Sequence, residues 1–356
     1  MKKFIALLIV PFLFLVSCNK PKISEPNSKN ENTASNKEVL NYTVKDFYPF
    51  KENVRLKYKG EGNEYADKDI YTDFIKENRI QIREVNPGTT SAKVVEIKDG
   101  ELRLITTKSE FYYRDNIIDT DNKEYEILLK EPFKEGTSWN LPNGDKRYIS
   151  STDKEIEVPY GKYKAIEVTT EGKNYKNFDY YVKDIGLVKS LYSSDGMEVK
   201  SELEYVKDNV PVVQTVKFYH YNAATDKIVF VKNKLNFNTN DTVISQIEPY
   251  FKKSPAEELS PLINSDIKIN KIFLDRSTNT VNVDFSDNFV KAMNVGGGVE
   301  TSILTCITNT LCNYYNVDKA YITLGGKPYS SGHILLNEGE TFKVDYNNIS
   351  EYTKTK

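Results

Sequence analysis

The sequence predicts an α+β protein in two parts. An antiparallel β-rich segment, drawn as a curved sheet or open barrel, precedes an α+β sandwich with helices on one face of its sheet. Three observations carry this. Between residues 42 and 207 short apolar runs alternate with turn signals, and no helical period is sustained. Beyond residue 208, strand and helix periods follow in the order β-β-α-β-β-α-β, the pattern of a sheet covered by helices. A Gly296-Gly297-Gly298 break then separates a strand of period two from a long stretch of helical period.

At 356 residues the chain has room for two domains beyond a leader. Lys+Arg 49 against Asp+Glu 51 leaves no basic excess, so no nucleic-acid partner is expected. Lys2-Lys3 and the apolar run from Phe4 to Val16 have the form of a signal peptide, expected over residues 1–17. At about thirteen residues the run is shorter than the ~20 that span a bilayer. It ends in Leu15-Val16-Ser17-Cys18, which resembles the lipobox of bacterial lipoproteins. That resemblance implies a diacylglyceryl thioether on Cys18, a membrane partner, and a location on the extracytoplasmic face of the cell membrane. Two acyl chains anchor stably where one binds only marginally. Residues 18–41, rich in Lys, Asn, Ser, Glu and Pro, have the composition of a disordered tether with a reach on the order of 25 Å.

Residues 42–207 are expected to form the antiparallel β domain. Asp99-Gly100 between Val94-Val95-Glu96-Ile97 and Leu102-Arg103-Leu104-Ile105 is a hairpin signal. Asn143-Gly144, Tyr160-Gly161, Glu171-Gly172 and Asp195-Gly196 repeat it along the segment.

Residues 208–346 are expected to form the second domain and residues 347–356 a polar tail, frayed from Asp345. Val216 to Tyr221 and Lys227 to Lys232 pair across Ala223 to Asp226. Thr239 to Lys253 is helical, with Val243, Ile247, Tyr250 and Phe251 on one face. Ile267 to Leu274 pairs with Thr280 to Phe285. Val299, Ile303, Ile307, Leu311 and Tyr314 make the stripe of a long helix that Asn316 ends; Thr308, off that stripe, is expected to tolerate change. Ala320 to Leu324 is a strand closed by Gly325-Gly326-Lys327-Pro328. A fragment from Asn209 to Ile349 is expected to fold alone.

Val281, Val283, Asp284, Phe285 and Ser286, then Asn309, Leu311, Tyr314 and Val317, then Gly326 and Lys327, resemble the GerMN domain, named after a lipoprotein of sporulation and spore germination. The resemblance reaches back to Val216-Lys217-Phe218-Tyr219 and covers roughly two-fifths of the chain. It implies an α+β sandwich that acts as a protein-interaction or assembly module, docking onto envelope proteins or copies of itself. Lys253-Ser254-Pro255 and Ser265-Asp266-Ile267 stand where the family has Gly-Pro and Pro-x-Gly-Thr, so different loops are expected there.

No constellation asks for catalysis, a cofactor or a metal. Gly296-Gly297-Gly298 lacks the Lys-Ser/Thr of a P-loop and reads as a hinge. His220 and His333 have no Cys or carboxylate at ligand spacing, and three cysteines are too few for a disulfide framework. Cys306 and Cys312 point to different faces of one helix. Asp119-Thr120-Asp121 opens like a calcium loop, but Lys123 and Glu124 replace the next ligand and glycine. Ser330-Ser331-Gly332 has no nucleophile-elbow context. The expected function is therefore a non-catalytic interaction module of sporulation, germination or the cell envelope. The alternative is a β domain that binds a lipid, a glycan or another small ligand; it needs an apolar inner face that no helix covers, and a deep apolar pocket would favour it.

Overall fold

The computed structural model describes residues 42–354, so Cys18, the expected signal peptide and the whole of the expected tether lie outside it. A single turn of helix, α1 (Val44–Phe47), comes first, closed by a capping box between Thr43 and Asp46. Twelve strands follow: β1 (Arg55–Glu61), β2 (Lys68–Lys76), β3 (Arg79–Val85), β4 (Thr90–Lys98), β5 (Glu101–Lys108) and β6 (Glu126–Lys130), then β7 (Ser138–Asn140), β8 (Lys146–Val158), β9 (Gly161–Glu171), β10 (Lys176–Val182), β11 (Gly186–Ser194) and β12 (Met197–Lys207). All twelve lie in one antiparallel sheet, two meanders joined where β1 pairs with β12.

The turns sit where the sequence marks them. Asp99 and Gly100 both take left-handed φ, 54° and 72°, as a two-residue hairpin linking twisted strands demands. Strands β6 and β7 stand at the two free edges, so the sheet does not close through its backbone. Side chains bridge the seam instead. Trp139 Nε1 and Arg147 Nη1 donate to the Ile127 carbonyl at 2.9 and 2.8 Å, and Arg147 Nη2 meets Glu126 at 2.8 Å. The result is an open barrel, one of the two forms, curved sheet or open barrel, expected from the turn-rich sequence. Val44 and Phe47 of α1 pack with Phe133, Leu102 and Ile166 in its interior core.

The second part runs β13 (Val212–Asn222), β14 (Lys227–Phe237), α2 (Val243–Lys252), β15 (Ile269–Asp275), β16 (Thr280–Phe285), α3 (Phe289–Met293), α4 (Gly297–Tyr315), β17 (Lys319–Leu324), β18 (Lys327–Pro328), β19 (Phe342–Lys343) and β20 (Ser350–Glu351). The expected order of strands and helices is present, and with it the α+β class. The strands divide between two small sheets, β13-β14-β20 and β15-β16-β17-β18, with β19 beside β17. Helix α4 packs against β13 as well as against β16 and β17. From Cys306 to Leu311 it is therefore buried on every side, where its apolar period marks only one stripe. Its polar residues find backbone partners there. Thr310 Oγ1 accepts the Tyr219 N–H at 3.0 Å, and Asn309 exchanges two hydrogen bonds with the Asp345 backbone. Thr308 Oγ1 has no partner among the described residues.

The expected polar tail needs correction. Strand β20 falls within residues 347–356 and pairs parallel with β14. Lys232 meets Glu351 at 2.7 Å, and the Tyr352 N–H donates to the Phe230 carbonyl at 2.9 Å. The free edge of β14 offered unpaired backbone groups, and even a polar segment can satisfy them.

The two parts share a core. Phe111 and Tyr113, on the loop after β5, join the apolar cluster that holds Phe237, Ile307 and Tyr315. Beside them Asp73 of β2 pairs with Arg83 at 2.9 Å and with Arg114 at 3.0 Å, all three almost completely buried. Arg114 also donates to the carbonyls of Asn238 and Asp241 at 2.8 Å, and its own N–H reaches Tyr314 Oη at 2.8 Å. A fragment beginning at Asn209 would leave these surfaces uncovered.

Candidate functional site

Period two sends alternate residues of each strand into the barrel. Leu56 and Tyr58 from β1, Ile70 from β2, and Ile80 and Ile82 from β3 line one wall of a cavity of about 320 Å³. Asp179 and Tyr181 of β10, Leu187 of β11 and Val206 of β12 line the other. The volume falls at the small end of the range usual for ligand pockets, about 300–1,000 Å³. Lys51 and Tyr160 line the cavity and are also exposed, which places its mouth between them.

Charged groups interrupt the apolar walls. Glu84 lies between Lys93 at 2.9 Å and Lys68 at 3.4 Å. Burial pushes the Glu84 carboxyl up, but the two ammonium groups outweigh it and hold the carboxyl below its ordinary range. Lys68 also sits 5.5 Å from the Tyr58 ring centroid. Across the cavity, half-buried Asp179 lines the opposite wall. Burial raises its carboxyl; Ser190, Arg147 and Asn177 offset only part of that. Burial, and next the Glu84 charge, lift the Tyr48 hydroxyl to about 12. Among the described residues no group hydrogen-bonds the hydroxyl of Tyr48 or of Tyr181.

Of the residues singled out from sequence, Cys18 lies outside the described residues. Gly296 is the N-cap of α4, and the helix begins at Gly297. His220 is buried, its Nδ1 3.0 Å from the Ser260 carbonyl, and burial lowers its pKa. His333 does meet a carboxylate, Glu300 Oε2 at 2.8 Å, while Tyr329 Oη donates to Glu300 Oε1 at 2.7 Å. Thirty-three residues of sequence hide that pairing. Glu300 lies in the first turn of α4, where a carboxylate suits the helix dipole. Cys306 and Cys312 are free, buried thiols; burial pushes both up, Cys312 to about 12, which makes them poor nucleophiles. Asp119 pairs with exposed Lys76 at 2.7 Å. Ser331 Oγ accepts the N–H groups of His333 and Ile334 and so serves a turn. Among the described residues no three His, Cys, Asp or Glu side chains gather as a metal site.

Residues 205–330 match the family described as Germane: Sporulation and spore germination. No curated protein matches the chain. Among solved structures, the first GerMN domain of the sporulation protein GerM from Bacillus subtilis aligns over 33% of this chain and 86% of its own, with 17% identity and a TM-score of 0.27. A protein from Bacteroides fragilis, described as exported and of YmcC-like fold, aligns over 46% of this chain and 99% of its own, with 10% identity and a TM-score of 0.29. A protein from Parabacteroides distasonis described as a lipoprotein aligns over 45% and 98%, with 14% identity and a TM-score of 0.27. From residue 205 to residue 330, spanning β13 to β18, the chain is a Germane domain.

Proposed function

We propose that the protein is a non-catalytic, extracytoplasmic lipoprotein whose open barrel binds a small apolar ligand. The observation that carries this reading is the cavity itself. An apolar space of about 320 Å³ inside a sheet favours the small-ligand alternative. The charged signal start, the apolar run and Cys18 support anchoring through a lipid on that residue. If so, fatty-acid labelling in the producing cell marks the wild type, and Cys18→Ala abolishes the label; label kept by the variant rules Cys18 out.

The chain from Asn19 onward, which keeps every described residue, tests the cavity. Titrated with the apolar fluorophore N-phenyl-1-naphthylamine, it is expected to bind saturably at one site. Ile70→Trp, which fills the cavity from β2, is expected to weaken binding roughly tenfold or more while the protein still melts cooperatively. Binding that is absent, or indifferent to Ile70→Trp, sinks the reading.

A second reading concerns the other part. The Germane match supports a surface that docks onto envelope proteins or onto further copies of this chain, in sporulation, germination or envelope maintenance. The two readings are compatible, since the shared core would hold a ligand-bearing barrel rigidly beside the docking domain.

A further inference from the structure

We infer that the occupant of the cavity is a single-chain carboxylate amphiphile, its acid head between Lys68 and Lys93 and its chain along Ile70, Ile82 and Val95. This rests on the reading that the cavity binds an apolar ligand, and adds the chemistry of the head group.

Charge balance comes first. On the β2–β4 wall two ammonium groups share one carboxylate, Glu84. Lys93 hydrogen-bonds it at 2.9 Å, and Lys68 stands farther off at 3.4 Å. One positive charge is left over. The other cations that line the cavity lie off this wall. Arg147 is spent on Glu126, the Ile127 carbonyl and Thr170. Lys51 is exposed at the mouth and donates to the Asp184 carbonyl at 2.9 Å. A surplus of one suits a monoanion.

The remaining polar groups point the same way. The hydroxyls of Tyr48 and Tyr181 are donors without acceptors among the described residues. A head that accepts hydrogen bonds satisfies them, and a carboxylate has two oxygens to do so. An ammonium head would meet Lys68 and Lys93 as a like charge. An alcohol head would leave the surplus charge unanswered in a confined space, which is unfavourable. The volume, at the low end for ligands, suits one alkyl chain and not two.

The experiment displaces the naphthylamine fluorophore from the chain beginning at Asn19 with dodecanoate, dodecanol, dodecylamine and dodecyl phosphate, at pH 7.5 and low salt. Dodecanoate is expected to displace it at a concentration roughly tenfold or more below that of dodecanol, the worth of a charge-assisted hydrogen bond. Lys68→Gln and Lys93→Gln should each shrink that ratio, whereas Glu84→Gln should enlarge it. Equal displacement by acid and alcohol, or a preference for the amine, overturns the inference. Tenfold tighter binding of the phosphate overturns the carboxylate assignment. These outcomes leave the apolar cavity standing; failure of the fluorophore itself to bind removes both. Should a variant fail to melt cooperatively, the wild-type ranking of the four amphiphiles decides alone.

Discussion

Asp73→Ala is expected to lose about 3–5 kcal/mol of stability, the usual cost of stripping one partner from a buried ion pair. Against a typical total of about 5–15 kcal/mol, that is enough to unfold much of the population. Asp73 is 0% exposed, Arg83 2% and Arg114 1%, so the substitution leaves two guanidinium groups without their carboxylate and beyond the reach of water. The effect should not stay in the barrel. Arg114 lies over the rings of Phe74 at 4.5 Å and Phe237 at 5.0 Å, one from each part, and donates to carbonyls of the Germane domain. Trp139, the single tryptophan, stands at the barrel seam, and its fluorescence follows the barrel alone. Far-ultraviolet dichroism follows both parts. The two melts should coincide in the wild type and fall together in the variant. Asp119→Ala, which breaks only the exposed pair with Lys76, should change stability by no more than about 1 kcal/mol. A similar small shift for Asp73→Ala would mean that the cluster does not join the two parts.

What the sequence makes legible is local. Asp99-Gly100 and Asn316 occupy left-handed backbone that few other residues accept, so they mark a hairpin and a helix end without tertiary information. The apolar face of α4 is likewise readable, because a period of 3.6 is written along one segment. What is hidden depends on a second surface. Asp73 and Arg114 are 41 residues apart, and nothing in either neighbourhood names the other. Strand β3 reads Ile80, Gln81, Ile82, Arg83, Glu84, ordinary alternation with a wet face. In fact Ile80 and Ile82 look into the cavity while Gln81 and Arg83 are buried against the loop after β5. Glu84 breaks the pattern on the inner face, the one local trace of the charged wall. Period two separates the faces of a strand but cannot say whether the polar side meets water, a cavity or another domain.

Helix α4 yields the second large effect. Ile307→Asp is expected to unfold the Germane domain, and with it the core it shares with the barrel. Ile307 is 0% exposed and packs in the cluster that contains Val281, Val283, Phe285 and Ile322. Removing its side chain forfeits roughly 1.5–3 kcal/mol of burial. A carboxylate left there without a partner adds a penalty of several kcal/mol more. Thr308, which from its place off the apolar stripe looks like a neutral control, is not one. It is 0% exposed and its hydroxyl has no partner among the described residues. Thr308→Val keeps the shape and removes the unpaired hydroxyl, so it should be neutral or stabilise by about 1 kcal/mol. Exposed Thr301 is the better control, and Thr301→Ala should stay within about 0.5 kcal/mol of the wild type. The melts belong in the chain from Asn19 onward, because Phe111 and Tyr113 of the barrel complete the same core. If Ile307→Asp and Thr301→Ala shift the midpoint by equal, small amounts, α4 is not packed between β13 and the β16–β17 pair.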